Sequence, residues 1–165
     1  MQSNPSDASL DPGEFLRLDR QLCFALYSAS LAMTRLYKPH LERLGLTYPQ
    51  YLVMLALWEQ DGLGVNELGQ RLFLDSGTLT PLLKRLSLAG WVTRERSQAD
   101  ERRVHICLTP AGQALRQDAL SVPLAIASAS GCTLAELGSL TRELQGLRLR
   151  LDRLQAPDGA NAAAA

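Results

Sequence analysis

The spacing of apolar residues changes at Gly90, and this change limits the folds open to the chain. Before Gly90, leucines recur at helical spacing in VNELGQRL (65–72) and LDSGTLTPLLKRLSLAG (74–90), which predicts two helices joined by a tight turn. After Gly90, WVTRE (91–95) and RVHICL (103–108) alternate, which predicts two strands around the polar tip RSQADER (96–102). A helix pair followed by a hairpin predicts a winged helix-turn-helix.

Helices are also predicted on the N-terminal side of this motif. Residues 15–44 follow a helical pattern, with Pro39 expected to kink or break the segment near its end. Thr47 and Gln50 have the spacing of a capping box, which predicts a second helix over residues 48–60.

Two further helices are predicted on the C-terminal side. A Thr-Pro pair begins a helical segment over residues 109–130, with Pro123 as an expected kink. Thr133 and Glu136 form another capping box, which opens a last helix ending near Leu154. The predicted fold class is mainly α with a small β-hairpin.

We expect five segments along the chain. They are a disordered tail (1–13), an N-terminal dimerisation and sensor helix (14–46), a winged helix-turn-helix (47–108), C-terminal dimerisation helices (109–155) and a disordered tail (156–165). Leucines recur at helical spacing along the last predicted helix: Leu134, Leu137, Leu140, Leu144, Leu147, Leu151 and Leu154. They predict a homodimer interface, since long amphipathic helices need an apolar partner, with packing inside one chain as the alternative.

Charge and composition narrow the classes of function. The 165 residues carry 17 basic and 17 acidic side chains, but residues 71–105 hold seven basic and four acidic ones, a local excess that suits DNA. There is no long uncharged apolar run and no secretory signal, so we expect a cytoplasmic protein without a membrane span. Three cysteines and two histidines lack metal-ligand spacing, so we expect neither a metal nor a cofactor.

The helix predicted near residues 76–89 has the features of a recognition helix. Its outward positions carry small, hydroxyl and basic residues suited to bases and phosphates in the major groove. At the wing tip, Arg102 is expected to enter the minor groove, oriented by Asp100. A dimer would place two such helices about 34 Å apart and select near-palindromic double-stranded DNA. The candidate DNA contacts are Ser76, Gly77, Thr78, Thr80, Lys84, Arg85, Asp100 and Arg102.

A cysteine and four hydroxyl residues form one stripe on the first predicted helix. They are Cys23, Tyr27, Ser30, Thr34 and Tyr37, at steps of three and four residues. Because Cys23 and Tyr37 are about 21 Å apart on a straight helix, they cannot meet within one chain. An antiparallel crossing of two copies would bring them together, and Tyr48 with them. The alternative is that Cys23 is a small buried apolar residue.

Three segments carry a resemblance to a known family. DERRVHICLTPAG (100–112) resembles the wing signature of MarR-type regulators, while LTYPQYLVMLALWE (46–59) and LFLDSGTLTPLLKRL (72–86) resemble the OhrR branch, the organic hydroperoxide-sensing repressors. The resemblance covers roughly residues 15–155. It implies a dimeric repressor that leaves its operator when one N-terminal cysteine is oxidised by an organic hydroperoxide.

The resemblance also implies roles for individual residues. Cys23 matches the reactive cysteine, Tyr37 and Tyr48 match tyrosines that hydrogen-bond it across the dimer, and Tyr27 matches a further pocket residue. Two-cysteine members of the family form an intersubunit disulfide, for which Cys132 is the candidate here, with Ser128 competing for that position in the alignment and a small cellular thiol as the alternative partner. We expect Cys107, on a wing strand, to be structural.

Two other functions remain open at this point. One is a MarR-type repressor gated by a non-covalent aromatic ligand, with no redox role for Cys23. The other is a thiol peroxidase, which we do not favour, because Cys23 lacks a Thr-x-x-Cys setting and the winged helix would have no purpose. We therefore expect a protein that is not an enzyme.

Overall fold

The computed structural model describes residues 12–96 and 104–155, which form helices and one small antiparallel sheet. The chain divides into two compact units between Leu120 and Ser121. In chain order the elements are α1 (Leu22–Glu42), α2 (Tyr48–Glu59), β1 (Leu63–Gly64), α3 (Val65–Leu72), α4 (Ser76–Leu88), β2 (Val92–Arg96), β3 (Val104–Leu108), α5 (Pro110–Ala119), α6 (Ser121–Ser130) and α7 (Leu134–Gln155).

The predicted fold class is confirmed: a mainly helical chain contains α3, α4 and a wing. The sheet has the order β1-β3-β2, with Val92 opposite Leu108 and Leu63 opposite Ile106. The sequence pattern missed β1 because two residues are too few to show an alternating period. The wing tip, residues 97–103, lies outside the described residues.

The prediction of the first helix was wrong at its N-terminal end, whereas its C-terminal end lies within two residues of the predicted one. Residues Pro12–Leu16 and Leu18–Arg20 form short 3-10 helices, and the α-helix begins only at Leu22. Pro12 and Gly13, the last two residues of the predicted tail, belong to the first of these short helices. Pro39 does not break α1, which continues to Glu42, although its missing N–H removes one intrahelical hydrogen bond.

The helix predicted over residues 109–130 is two helices, and the break was predicted at the wrong residue. α5 ends at Ala119 and α6 begins at Ser121, so the break is at Leu120. Pro123 lies in the first turn of α6. There its missing N–H removes no intrahelical hydrogen bond, and proline is therefore compatible with a continuous α6.

The core of the first unit is built around α2, whose inner side chains are almost inaccessible. They meet buried side chains from the helix-turn-helix and from the sheet, which fixes α4 relative to the wing. The largest fully buried residues of this core are Leu41, Val53, Met54, Leu57, Leu63, Leu68, Leu79, Leu83, Leu86, Val92 and Ile106.

Two long helices differ from this core because their apolar side chains are largely uncovered. α1 has a single buried residue, Leu41, while Leu22 is 59% and Tyr27 is 61% exposed. In α7, no residue from 134 to 154 is buried, and Leu134 is 66% exposed. Each helix therefore exposes an apolar surface that the single chain does not bury.

Among the described helices, none alone is both long and apolar enough to cross a membrane. The bent pair Pro110–Ser130 and Leu134–Leu154 meets these criteria when taken together, by length and composition only.

Candidate functional site

The turn between α3 and α4 is held by a close backbone approach. Phe73 adopts a left-handed conformation with φ of 55°, and the Leu74 N–H donates to the Gly69 carbonyl at 2.9 Å. A Cβ atom at position 69 would lie 2.9 Å from the Leu74 carbonyl oxygen, closer than side chains tolerate. Gly69 therefore allows the turn that sets the direction of α4.

Asp75 caps the N-terminus of α4. Its carboxylate accepts hydrogen bonds from the Thr78 N–H at 2.8 Å and from the Thr78 hydroxyl at 2.9 Å. Both hydrogen bonds lower the pKa of Asp75, and the bond from the Thr78 backbone N–H has the larger effect. Since the Thr78 hydroxyl proton is engaged, Thr78 is available to other groups only as an acceptor.

The outward face of α4 carries all six candidate DNA contacts of this helix, each of them exposed: Ser76, Gly77, Thr78, Thr80, Lys84 and Arg85. On the inward face, Leu79, Leu83 and Leu86 are at most 1% exposed. The helix thus offers polar and basic groups to a partner while its leucines anchor it. The two candidates in the wing, Asp100 and Arg102, lie outside the described residues, and their DNA contacts stay predictions.

Cys23 is the second residue of α1, and its thiol is exposed. The N-cap residue Gln21 does not cap the helix with its side chain, which instead donates to the carbonyls of Phe15 and Arg17. In contrast, Asp75 and Thr109 cap α4 and α5. Among the residues that the structure describes, no side chain accepts from the first-turn N–H groups of α1, which favours an anion at this helix end.

Three tyrosines, Tyr37, Tyr48 and Tyr51, form what we call the phenol cluster. The ring centroid of Tyr37 lies 5.0 Å from that of Tyr48 and 6.0 Å from that of Tyr51. Burial raises the pKa of all three phenols, so they stay protonated near neutral pH and act as hydrogen-bond donors. Tyr51 was missed from the sequence, although its spacing of three residues from Tyr48 on one helix was a usable signal.

The structure of one chain does not bring Cys23 to the phenol cluster. Cys23 and Tyr37 are at opposite ends of α1, about 21 Å apart along the helix axis. Tyr27, one turn from Cys23, is 61% exposed. Between them, the Thr34 hydroxyl donates to the Ser30 carbonyl at 2.9 Å. The predicted stripe lies on one helix, but its thiol end and its phenol end face different surroundings.

The other two cysteines have different environments. Cys107 is half-buried on β3, and burial together with the nearby carboxylates of Glu95 and Asp61 raises the pKa of its thiol. Cys132 is half-buried between α6 and α7, after Gly131, whose φ is 70°. Its sulfur lies 3.8 Å from the Ser130 carbonyl oxygen. Of these two cysteines, Cys107 has the raised pKa, which disfavours its thiolate form.

No group of three or more His, Cys, Asp or Glu side chains in the described part of the chain is arranged to hold a metal ion.

Comparisons with known proteins identify several relatives. Residues 35–119 match the family of transcriptional regulators SarA/Rot. The chain is 50% identical over 142 residues to the HTH-type transcriptional regulator TtmR of Methylorubrum extorquens (86% of this chain, 71% of TtmR). It is 48% identical over 129 residues to the organic hydroperoxide resistance transcriptional regulator of Bacillus subtilis (76% of this chain, 88% of the relative).

A solved structure is similar over most of the chain. Reduced AbfR bound to DNA superposes with a TM-score of 0.72 at 40% identity, covering 86% of this chain and 96% of AbfR, a protein of Staphylococcus epidermidis. AbfR with its disulfide formed superposes with a TM-score of 0.55 at 41% identity, covering 82% and 95%.

Proposed function

The chain belongs to the MarR family of winged-helix transcriptional regulators, in the branch of the organic hydroperoxide resistance regulators, and we propose that it is a homodimeric repressor released from DNA by oxidation of Cys23. One observation carries this proposal. An exposed thiol lies at an uncapped helix end, while two phenols suited to hold its anion are clustered about 21 Å away on the same chain. In a dimer, the phenols of one subunit can reach the Cys23 thiol of the other.

The uncovered helices support a dimer. Leu31 of α1 is 42% exposed, and Leu140 and Leu144 of α7 are 50% and 48% exposed. Completing the burial of such a leucine stabilises an interface by on the order of 1 kcal/mol, so several of them together stabilise a persistent dimer. Antiparallel crossing of two α1 helices then brings Cys23 of one subunit to Tyr37 and Tyr48 of the other.

The first chemical step is attack by the Cys23 thiolate on the distal oxygen of an organic hydroperoxide. The S–O bond forms and the O–O bond breaks, which leaves a sulfenic acid on Cys23 and releases the alcohol after proton transfer. Protonated phenols donate to the thiolate before attack. Apolar side chains of α1 around Cys23, including Leu22 and Leu26, favour alkyl and lipid hydroperoxides over hydrogen peroxide.

The second step is formation of an intersubunit disulfide with Cys132. The Cys132 thiolate attacks the sulfenic sulfur, so that the S–S bond forms as the S–O bond breaks, and the departing hydroxide takes up a proton and leaves as water. Cys107 is the poorer candidate because its raised pKa disfavours the thiolate. AbfR, which is known both reduced on DNA and with a disulfide formed, supports a redox cycle of this kind.

DNA binding uses the outward face of α4 and the wing. In a dimer, two α4 helices enter successive major grooves of a near-palindromic operator, with Lys84 and Arg85 on phosphates and Ser76 near base edges. Arg102 enters the minor groove beside Asp100. A regulator with this task works in the cytoplasm, where the chromosome lies.

The test compares DNA release by three forms of the protein. A duplex selected by the reduced wild type from a random library serves as the probe, and equimolar cumene hydroperoxide as the oxidant. We expect release from wild type and from Cys107→Ser, the matched cysteine control, but not from Cys23→Ser. Equal release of Cys23→Ser would contradict the proposal, and release of both wild type and Cys23→Ser by salicylate would favour a ligand-gated repressor instead.

A further inference from the structure

Trp58, in the last turn of α2, makes a hydrogen bond to a distant part of the chain. Its indole Nε1–H donates to the Gly112 carbonyl in the first turn of α5 at 2.9 Å. The two residues are 54 positions apart. The bond therefore links two elements that the sequence keeps well separated.

Gly112 belongs to a crowded point that we call the wing-base junction, formed by Gly90, Trp91, Thr109 and Gly112. Here α4 has just ended, and the wing and α5 begin. The Thr109 N–H donates to the Trp91 carbonyl at 3.1 Å, and the Thr109 hydroxyl donates to the Gly90 carbonyl at 2.6 Å. A Cβ atom on Gly112 would lie 2.0 Å from the Trp91 carbonyl oxygen. A shift of α5 at this point must displace the end of α4 or the wing.

The other side of Trp58 faces the phenol cluster. Its ring packs edge-on against Tyr51, with centroids 6.3 Å apart, and Tyr51 lies 6.0 Å from Tyr37. Tyr51 is 3% exposed, so its ring cannot move without moving its neighbours. Trp58 thus contacts the phenol cluster through its ring and the wing-base junction through its N–H.

We propose that Trp58 is a positioning residue that couples the phenol cluster to the recognition helix and the wing. When oxidation of Cys23 displaces Tyr37 and Tyr48, the Tyr51 ring shifts and draws the indole N–H away from the Gly112 carbonyl. The wing-base junction then loosens, and α4 loses the orientation that fits DNA. This role rests on the proposed function, because it transmits the signal that Cys23 generates.

Trp58→Phe tests the role, since phenylalanine keeps an aromatic ring beside Tyr51 but has no N–H to donate to the Gly112 carbonyl. Trp91→Phe is the matched control, because the Trp91 Nε1 is buried and has no acceptor among the residues that the structure describes. For each protein we would measure the rate of sulfenic acid formation at Cys23 by dimedone capture. The Kd for the selected duplex would be measured before and after oxidation by cumene hydroperoxide.

We expect Trp58→Phe to form sulfenic acid at the wild-type rate while its ratio of oxidised to reduced Kd falls about two- to tenfold, as for loss of one hydrogen bond. Trp91→Phe should keep the wild-type ratio. An unchanged ratio in Trp58→Phe, beside normal release of wild type, would overturn the role of Trp58. Failure of wild type to leave DNA after oxidation would instead overturn the proposed function.

A second measurement needs no variant that might fold poorly. The chain has two tryptophans, so its ¹H–¹⁵N spectrum contains two side-chain indole resonances. On oxidation we expect the Trp58 N–H resonance to move upfield as its hydrogen bond is lost, while that of Trp91 stays. If both resonances stay in place while DNA is released, the signal does not pass through Trp58.

Discussion

Gly112→Ala should destabilise the protein, because the wing-base junction has no room for a methyl group. The added Cβ would lie 2.0 Å from the Trp91 carbonyl oxygen and 3.1 Å from its carbonyl carbon. To reach an ordinary separation, the start of α5 has to move by at least about 1 Å. That movement stretches three hydrogen bonds: Thr109 N–H to Trp91, the Thr109 hydroxyl to Gly90, and Trp58 to Gly112.

The size of the effect follows from these three bonds. At about 0.5–1.5 kcal/mol each, their loss costs about 1.5–4.5 kcal/mol. Alanine recovers about 1 kcal/mol through its higher helix propensity, which leaves a net loss of about 0.5–3.5 kcal/mol in the free energy of unfolding. Urea unfolding at fixed protein concentration, followed by circular dichroism, measures this difference.

Gly138→Ala in α7 is the matched control. Its Cβ would lie 3.5 Å from the flexible end of Arg142, an ordinary van der Waals contact. We expect this variant to be as stable as wild type or up to about 1 kcal/mol more stable. Wild-type stability of Gly112→Ala, or an equal loss in Gly138→Ala, would refute the reasoning about the junction.

Other predictions concern the acid stability, the DNA contact and the dimer. The Thr78 hydrogen bonds lower the pKa of Asp75, so its carboxylate stabilises the fold above the unfolded pKa of about 3.9, and this stabilisation is lost as pH falls through the lower folded pKa. Asp75→Asn should therefore reduce the fall of the melting temperature with decreasing pH in the acid range. An unchanged slope of melting temperature against pH would count against the cap. Lys84→Ala should weaken binding to all duplexes alike and reduce the salt slope by about one, whereas a loss confined to one sequence would indicate base contact. Leu144→Glu should yield monomers in sedimentation at micromolar concentration, and a persistent dimer would place the interface elsewhere.

Local signals in the sequence were sufficient for the helix-turn-helix. The bounds of α3 were predicted as found, and the change of period at Gly90 correctly predicted the two long wing strands. The Thr133–Glu136 capping box is present, with the Thr133 N–H donating to the Glu136 carboxylate at 2.7 Å. These features depend on residues within one or two turns of each other, so short-range patterns reveal them.

Features that depend on distant partners were not predictable in the same way. The strand β1 exists because it pairs with β3, more than 40 positions further along the chain. The Trp58 bond to Gly112 likewise joins residues far apart in sequence, and no local pattern indicates it. The break at Leu120 was predicted at Pro123 instead, because proline in a helix interior usually breaks or kinks the helix. Pro123 lies in the first turn of α6, where its missing N–H removes no intrahelical hydrogen bond.

The central claim is that Cys23 of one subunit is activated by Tyr37 of the other, and heterodimers test it directly. Two variants would be coexpressed with different tags and the heterodimer purified: Cys23→Ser, which has no thiol at this position, and Tyr37→Phe, which we expect to react slowly as a homodimer. Its remaining Cys23 belongs to the subunit that carries the Tyr37→Phe substitution, and this thiol faces the intact Tyr37 of the partner subunit. The account predicts that this thiol forms sulfenic acid with cumene hydroperoxide at the wild-type rate, with half the wild-type amplitude. A heterodimer as slow as the Tyr37→Phe homodimer would contradict it.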